Sequence, residues 1–206
     1  MHHYASLNEE KTEVLIVCSP RQRHKLTIKQ VLVCGTEISP APNVKNLGAV
    51  FDQNLNMVDQ VTTICRSLNH QLRHIGKIRK YLSQEAASTL IHALVTSRLD
   101  NNNALLANIP DNQICRLQKL QNNAARMVSL TQKYEHITPV LKQLHWLPVS
   151  WRIIFKVLLL TYKALHGQAP QYITDMLVAY EPRQSLRSAS QGYLDVPKTK
   201  LVTYGD

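Results

Sequence analysis

Apolar residues recur every three or four positions through residues 57–82, a pattern that predicts one long amphipathic helix. The stripe consists of Met57, Val61, Ile64, Leu68, Leu72, Ile75 and Leu82. Arg66, Arg73, Lys77 and Lys80 fall on the opposite side, and Asp59 is the only acid in the stretch. The pattern therefore predicts a helix that turns an apolar seam toward a core and a basic face outward.

Three short segments before this helix have the patterns of β-strands. Residues 11–19 contain a continuous apolar run, residues 26–34 alternate, and residues 44–51 form a third candidate with Gly48 in its middle. Gly35 indicates a hairpin turn. A glycine inside a strand often permits a bend or a close approach by another backbone or a ligand. We predict one small antiparallel sheet of about three strands.

Helical patterns dominate the rest of the chain. Ser83 is the predicted N-cap of a helix that ends near Leu99, and Asp111 is the predicted cap of the next helix. The segment 151–166 is apolar around most of its circumference, which predicts the centre of a C-terminal core. Shorter segments complete the pattern: helices at residues 138–145 and 171–180, and an extended basic tail over residues 181–206. The predicted fold class is α+β, mostly α, with a small N-terminal antiparallel sheet, a helical bundle and an irregular C-terminal tail.

The charge balance points to a polyanionic partner. The chain has 206 residues, a formal net charge of +10 at pH 7 and a pI near 9.6. Such a surplus favours DNA, RNA or an acidic membrane surface. A simpler interpretation is that the basic face is an ordinary solvated helix surface, and periodicity alone favours it. Arg79 is the one basic residue of this helix that falls near the apolar seam. It lies in the last turn, where its guanidinium can reach the carbonyls at the C-terminal end of the helix.

The cysteines indicate an intracellular protein, nuclear or cytoplasmic. They are Cys18, Cys34, Cys65 and Cys115. Their wide spacing excludes zinc-finger patterns, and together with the absence of a secretory signal it indicates a reducing compartment. The longest apolar run, residues 153–160, is too short to span a bilayer.

The spacing of polar residues predicts no catalytic or metal site. There is no glycine-rich phosphate loop and no nucleophile elbow. Two-metal phosphoryl transfer needs carboxylates close together, whereas Asp52 and Asp59 are isolated. His70 and His74 are one helical turn apart, a spacing that can hold a metal. No cysteine or acid pair completes such a site, and a polar helix face explains both histidines.

Several short motifs follow one another along the chain. Residues 7–15 read LNEEKTEVL and residues 44–50 read VKNLGAV. The later motifs are SRLD at 97–100, RLQ at 116–118, QNNAAR at 121–126, HITP at 136–139, LHWLPV at 144–149, RI and FK within 152–156, APQY at 169–172 and LRS at 186–188. In this order they resemble the reverse transcriptases of LINE-type non-LTR retrotransposons, over nearly the whole chain. The first motif resembles the segment just after that family's catalytic motif, and the second its "K-x-LG-V" primer grip.

The resemblance implies a division of the chain into four parts. These are the end of the polymerase palm with a primer-grip-like hairpin at residues 1–52, thumb-like helices at 53–100, a helical post-polymerase region at 101–180, and an extended tail at 181–206. The implied activity of an intact enzyme is RNA-directed DNA polymerisation. The implied partner is RNA or DNA, above all an RNA–DNA duplex, and not a membrane.

The resemblance also implies roles for individual residues. Lys11 corresponds to a lysine that protonates the leaving pyrophosphate in an intact enzyme. Lys45, Asn46 and Gly48 would lie near the primer end, where Gly48 allows close backbone approach. The thumb residues Arg66, Arg73, Lys77 and Lys80 would meet phosphates and position the duplex without reading its sequence.

The departures from the family limit the expected activity. In the family, the paired catalytic aspartates precede the segment that residues 7–15 resemble. We therefore expect no catalytic and no metal-binding residues in this chain. Mg²⁺ would be bound by residues upstream. Asn101 and Asn102 stand where the family usually has Tyr-Cys, and the family pattern continues beyond Asp206. We therefore expect a fragment truncated at both ends, unable to polymerise DNA alone, that retains nonspecific binding of RNA or DNA.

Two alternatives stay open at this stage. The apolar region from Trp151 to Tyr180 matches no polymerase chemistry, which favours a helical protein-interaction module derived from a retroelement. A decayed open reading frame without a selected activity is the other alternative.

Overall fold

The computed structural model describes residues 11–180 and 192–196. Helices dominate these residues, and two small antiparallel sheets lie near the N-terminus, which confirms the α+β, mostly α class. The chain divides into two compact units, Met1–Ile154 and Phe155–Asp206. The predictions for residues 1–10, 181–191 and 197–206 lie outside the described residues.

The strands form two separate hairpins, not one three-stranded sheet. Strand β1 (Val31–Val33) pairs with β2 (Thr36–Ile38), and β3 (Asn43–Asn46) pairs with β4 (Ala49–Asp52), both antiparallel. The predicted strand at 44–51 is therefore wrong, because its middle is a turn. The predicted strand at 26–34 is confirmed only over its last residues.

Both hairpins turn through two residues with positive φ. These are Cys34 at 50° and Gly35 at 91° in the first, and Leu47 at 47° and Gly48 at 85° in the second. Turns with positive φ at both central residues match the right-handed twist of the flanking strands, and glycine adopts that conformation without steric cost. Gly48 thus marks a chain reversal where the sequence pattern indicated a bend.

The predicted first strand, residues 11–19, is wrong. The chain there makes one isolated parallel bridge, between Leu15 and Ala41. The amide of Ala41 donates to the carbonyl of Val14 at 2.8 Å. Pro40 and Pro42 flank this point and have no amide hydrogen to continue a ladder. A single helical turn, α1 (Pro20–Arg23), follows this segment.

The predicted long helix is confirmed as α2 (Val58–Ile78), which continues into a 3₁₀ turn at Arg79–Tyr81. All members of the predicted stripe from Met57 to Ile75 are buried. Two buried polar residues hold the helix start in place. The Asp52 carboxylate accepts the backbone amide of Met57 at 2.8 Å, and the Gln60 side chain accepts that of Val50 at 2.8 Å. The second hairpin is thereby fixed to α2.

The bundle of the first unit surrounds the stripe of α2. Helix α3 (Gln84–Ile91) begins at the predicted cap, since Ser83 Oγ accepts the amide of Ala86. A wide π-helical turn (His92–Thr96), α4 (Ser97–Asp100) and a 3₁₀ turn (Asn103–Leu106) follow. Helix α5 (Asp111–Ser129) packs against α2, and α6 (Ile137–Gln143) packs against α5. Asp111 does not cap α5, because Pro110 occupies the N-cap position.

Two glutamines of α5 fix the chain that enters the next helix. Gln121 is buried and its side-chain amide donates to the carbonyl of Leu147 at 2.8 Å. The Gln118 side chain accepts the backbone amide of Val149, also at 2.8 Å. The motif at 144–149 and the motif at 121–126 are therefore brought into direct contact by hydrogen bonds.

Helix α7 (Val149–Leu165) begins in the first unit and continues into the second. It was predicted to be the centre of a core, but most of its apolar residues within the second unit are exposed. Only residues 171–174 of the predicted final helix form α8 (Gln171–Thr174). In the described part of the tail, Leu194 makes an antiparallel bridge to Ala179.

Candidate nucleic-acid interface

The buried stripe of α2 determines which of its side chains face outward. At about 100° per residue, Arg66, Arg73 and Lys77 fall within a sector of about 40° opposite the stripe. All three side chains are exposed, and so is Lys80 in the 3₁₀ turn that follows. At a rise of 1.5 Å per residue, Arg66 and Lys77 are about 16 Å apart along the helix axis. We call these four residues the cationic face.

The charges of the cationic face are not neutralised by any described acid. Within residues 11–180 and 192–196, the one ion pair joins Arg152 to Asp100 at 2.5 Å. Asp59, in the first turn of α2, instead accepts a hydrogen bond of 3.4 Å from the side chain of Asn43. The ammonium of Lys80 lies 4.8 Å from the ring centroid of Tyr81, a contact that leaves its charge in place.

The three predicted hairpin residues, Lys45, Asn46 and Gly48, are also exposed. The turn between them presents Leu47 with 90% of its surface exposed. A side chain at Gly48 would meet the Asn101 amide at 3.6 Å, and Asn102 donates to the carbonyl of Leu47 at 3.1 Å. The turn of this hairpin therefore packs against Asn101 and Asn102 of the same unit.

The described contacts attach this hairpin to the first turns of α2, whereas the cationic face occupies the later turns and the 3₁₀ turn. The two groups of predicted residues belong to the same unit but do not contact one another through described hydrogen bonds. Lys11 is exposed, and the described contacts do not join it to either group.

Two arginines from other helices border α2, and the sequence pattern did not identify them as part of this surface. Arg98 of α4 donates to Ser67 Oγ. Arg116 of α5 donates to Thr62 Oγ1 at 3.2 Å and to the side chain of Gln113 at 2.7 Å. Their partners are neutral, so both positive charges add to the field around the cationic face. Periodicity within one helix carries no signal for such contacts.

The flank next to Arg116 contains a thiol that stays protonated. Burial raises the pKa of the Cys65 thiol, and the positive charge of Arg116 opposes that rise. Among the described residues all cysteines are free thiols. Cys65 therefore contributes no negative charge that would offset the cationic face near neutral pH.

Two histidines on α2 border the same face. His70 and His74 are exposed, and their Nε2 atoms are 3.1 Å apart. Their ring centroids are 4.3 Å apart with planes tilted by 50°. The described residues contain no group of three or more histidine, cysteine or acidic side chains placed to hold a metal ion.

Comparison with protein-family models, curated proteins and solved structures gives no match for this chain. No helix among the described residues is both long enough and apolar enough to cross a membrane.

Proposed function

We propose that this chain binds the phosphate backbone of a nucleic-acid duplex through the cationic face of α2. The observation that carries the proposal is a combination of two features. Three exposed cations lie on one side of α2 and a fourth follows in the 3₁₀ turn, without an acidic partner among the described residues. The apolar stripe from Met57 to Ile75 on the other side of α2 is buried. A row of cations along one helix suits the row of charges on a nucleic-acid strand, which carries one phosphate per about 3.4 Å of duplex axis.

The motif resemblance supports an RNA–DNA duplex as the partner and a thumb-like role for α2. In this proposal the chain is a remnant of a LINE-type reverse transcriptase that holds a duplex and does not polymerise. The phosphate contacts position the duplex without selecting a base sequence. We therefore expect similar affinities for duplexes of different sequence, and no primer extension by the chain alone in the presence of Mg²⁺.

A salt titration of binding to a primed RNA–DNA duplex tests the proposal. Replacing Arg66, Arg73, Lys77 and Lys80 together by alanine removes four charges and retains a residue of high helix propensity. The slope of the logarithm of the binding constant against the logarithm of the salt concentration should become shallower by about three to four. Each neutralised phosphate contributes about 0.9 to this slope on B-form duplexes.

A matched control separates the position of the charges from their number. Replacing Lys119, Lys133, Lys142 and Lys163, which are exposed but lie outside the cationic face, by alanine changes the net charge by the same amount. This control variant should retain most of the affinity and most of the slope. Equal losses in both variants would show that net charge, and not the face, governs binding. An unchanged affinity in the first variant would refute the proposal.

A second candidate function, a helical protein-interaction module, is favoured by one observation in the second unit. Phe155, Leu158, Tyr162 and Leu165 recur at spacings of three and four on α7, with exposed fractions of 57%, 61%, 54% and 54%. Apolar patches of this kind often mark protein interfaces. Sedimentation at rising concentration, together with pull-downs, should show association that Leu158→Asp weakens. A monomeric protein with empty pull-downs would exclude this function.

A further inference from the structure

The imidazole rings of His70 and His74 on α2 face each other through their Nε2 atoms. This contact requires one of the two Nε2 atoms to be without a hydrogen. Nε2 of His70 and Nε2 of His74 are 3.1 Å apart, within hydrogen-bond distance. One of these atoms must donate a hydrogen and the other must accept it through a lone pair. Two imidazolium rings have no lone pair to offer, so the arrangement holds at most one extra proton.

The charged residues one helical turn from the pair on α2 are all basic. On α2 itself, Arg66 precedes His70 by one turn, Arg73 lies one turn beyond it, and Lys77 lies one turn beyond His74. From α4, Arg98 reaches Ser67, one turn before His70. From α5, Arg116 reaches Thr62, further toward the start of α2.

The acids of the elements that pack against α2 are engaged elsewhere or have no described contact with the pair. They are Asp52 on β4, Glu85 on α3, Asp100 on α4 and Asp111 on α5. Asp52 accepts three backbone amides, and Asp100 pairs with Arg152. The described contacts therefore offer the pair positively charged neighbours and no carboxylate, and an anion that approaches it would come from outside the chain.

We propose that His70 and His74 form an anion-binding pair that receives a phosphate of the bound nucleic acid and takes up a proton when it does so. The inference rests on the proposed function and adds a pH-dependent contact to it. A phosphate oxygen accepts hydrogen bonds and cannot donate one from a phosphodiester, so both Nε2 atoms must carry hydrogens to hold it. The ring that accepted the hydrogen bond in the free protein can present an Nε2 hydrogen by moving its hydrogen from Nδ1 or by gaining a second one. The negative charge of the phosphate favours the second route, so this ring becomes an imidazolium in the complex.

The uptake of one proton makes binding tighter at lower pH. Since the complex holds one more proton than the free protein, the affinity rises as the pH falls through the range where histidine side chains generally titrate. A linkage of one proton changes the affinity by up to about tenfold per pH unit. At pH above this range the pair contributes little, and the arginines and lysines carry the binding.

The test compares three proteins bound to the same RNA–DNA duplex at about pH 5.5 and about pH 8, the limits within which histidine generally titrates. They are the unaltered chain, the double variant His70→Gln and His74→Gln, and the control variant His136→Gln. Glutamine is a good helix former, is neutral and can still donate a hydrogen bond. His136 is exposed at the start of α6, outside the cationic face. EDTA in all buffers keeps metal ions off the imidazoles, and circular dichroism at both pH values confirms that each protein is folded.

The unaltered chain and the His136→Gln control should bind at least about fivefold more tightly at the lower pH. Calorimetry in buffers of different ionisation enthalpy should report uptake of about one proton per complex. The double variant should lose most of both effects and should match the unaltered chain at the higher pH. If the unaltered chain binds tightly but shows the same pH response as the double variant, this inference is wrong while the proposed function stands. If the unaltered chain fails to bind at either pH, both are wrong.

Discussion

The carboxylate of Asp52 organises the turn that leads into α2. Its Oδ1 accepts the amides of Asn54 at 2.9 Å and Asn56 at 3.2 Å, and its Oδ2 accepts that of Met57 at 2.8 Å. Met57 itself has a left-handed backbone, with φ of 59°. One buried side chain thus satisfies three backbone donors around a strained start. The sequence pattern treated Asp52 only as an isolated acid, because it stands six residues before the helix, outside the usual capping position.

Removal of this carboxylate should destabilise the first unit. We expect Asp52→Ala to lower the free energy of unfolding by about 2–3 kcal/mol, because buried amides are left without acceptors. Asp52→Asn keeps one carbonyl oxygen and should cost about 1 kcal/mol. Urea denaturation followed by tryptophan fluorescence measures both. Equal losses for the two variants would mean that the single acceptor oxygen kept by asparagine does not hold the turn.

At the scale of elements, Arg79 ties the end of α2 to the end of α5. Its guanidinium donates to the carbonyls of Met127 at 2.6 Å, Val128 at 3.0 Å and Leu82 at 2.8 Å. The first two acceptors lie in the last turn of α5, where carbonyls have no partner within their own helix. The sequence pattern predicted that Arg79 would reach carbonyls in the last turn of its own helix, but two of its three acceptors belong to α5 and the third, Leu82, follows the 3₁₀ turn. Periodicity within one helix cannot show contacts with a helix about 48 residues further along.

Arg79 should therefore contribute to stability far more than the exposed cations beside it. We expect Arg79→Ala to cost about 2–3 kcal/mol of unfolding free energy, since it breaks three charge-assisted bonds, two of them to α5. Arg79→Lys should recover less than half of this, because a single ammonium cannot reproduce the planar fork. Lys77→Ala is the matched control and should change stability by less than about 0.5 kcal/mol. A comparable loss for Lys77→Ala in thermal denaturation would contradict this account.

The limits of sequence reasoning follow from these elements. The stripe of α2 was predictable because burial on one side of a helix imposes a period of 3.6 residues on a long stretch. The same stripe identified the outward position of Arg66, Arg73 and Lys77. The hairpin at Leu47 and Gly48 was missed because a two-residue turn inside an apolar run resembles a bend in one strand. Contacts such as Arg98 with Ser67 depend on the packing of different helices, which no local pattern specifies.

At the scale of the whole molecule, the two units differ in how much apolar surface they bury. The first unit contains the stripe of α2, the inner face of α5 and the buried side chain of Trp146. Among residues 155–180 and 192–196, Ala164 is the only buried apolar residue. Because hydrophobic burial is the main favourable term in folding, the second unit should have the lower stability of the two.

This difference should separate the unfolding transitions seen by two probes. Both tryptophans, Trp146 and Trp151, belong to the first unit, so tryptophan fluorescence follows that unit alone. Far-UV circular dichroism follows helices in both units, including the later turns of α7. As the urea concentration rises, we expect part of the circular dichroism signal to disappear before the midpoint of the fluorescence transition. In a hydrogen-exchange experiment, the amides of α2 and α5 should exchange more slowly than those of residues 155–174. Coincident curves from the two probes, with uniform exchange protection along α7, would instead mean that the chain unfolds in one cooperative step and that the second unit is stabilised as strongly as the first.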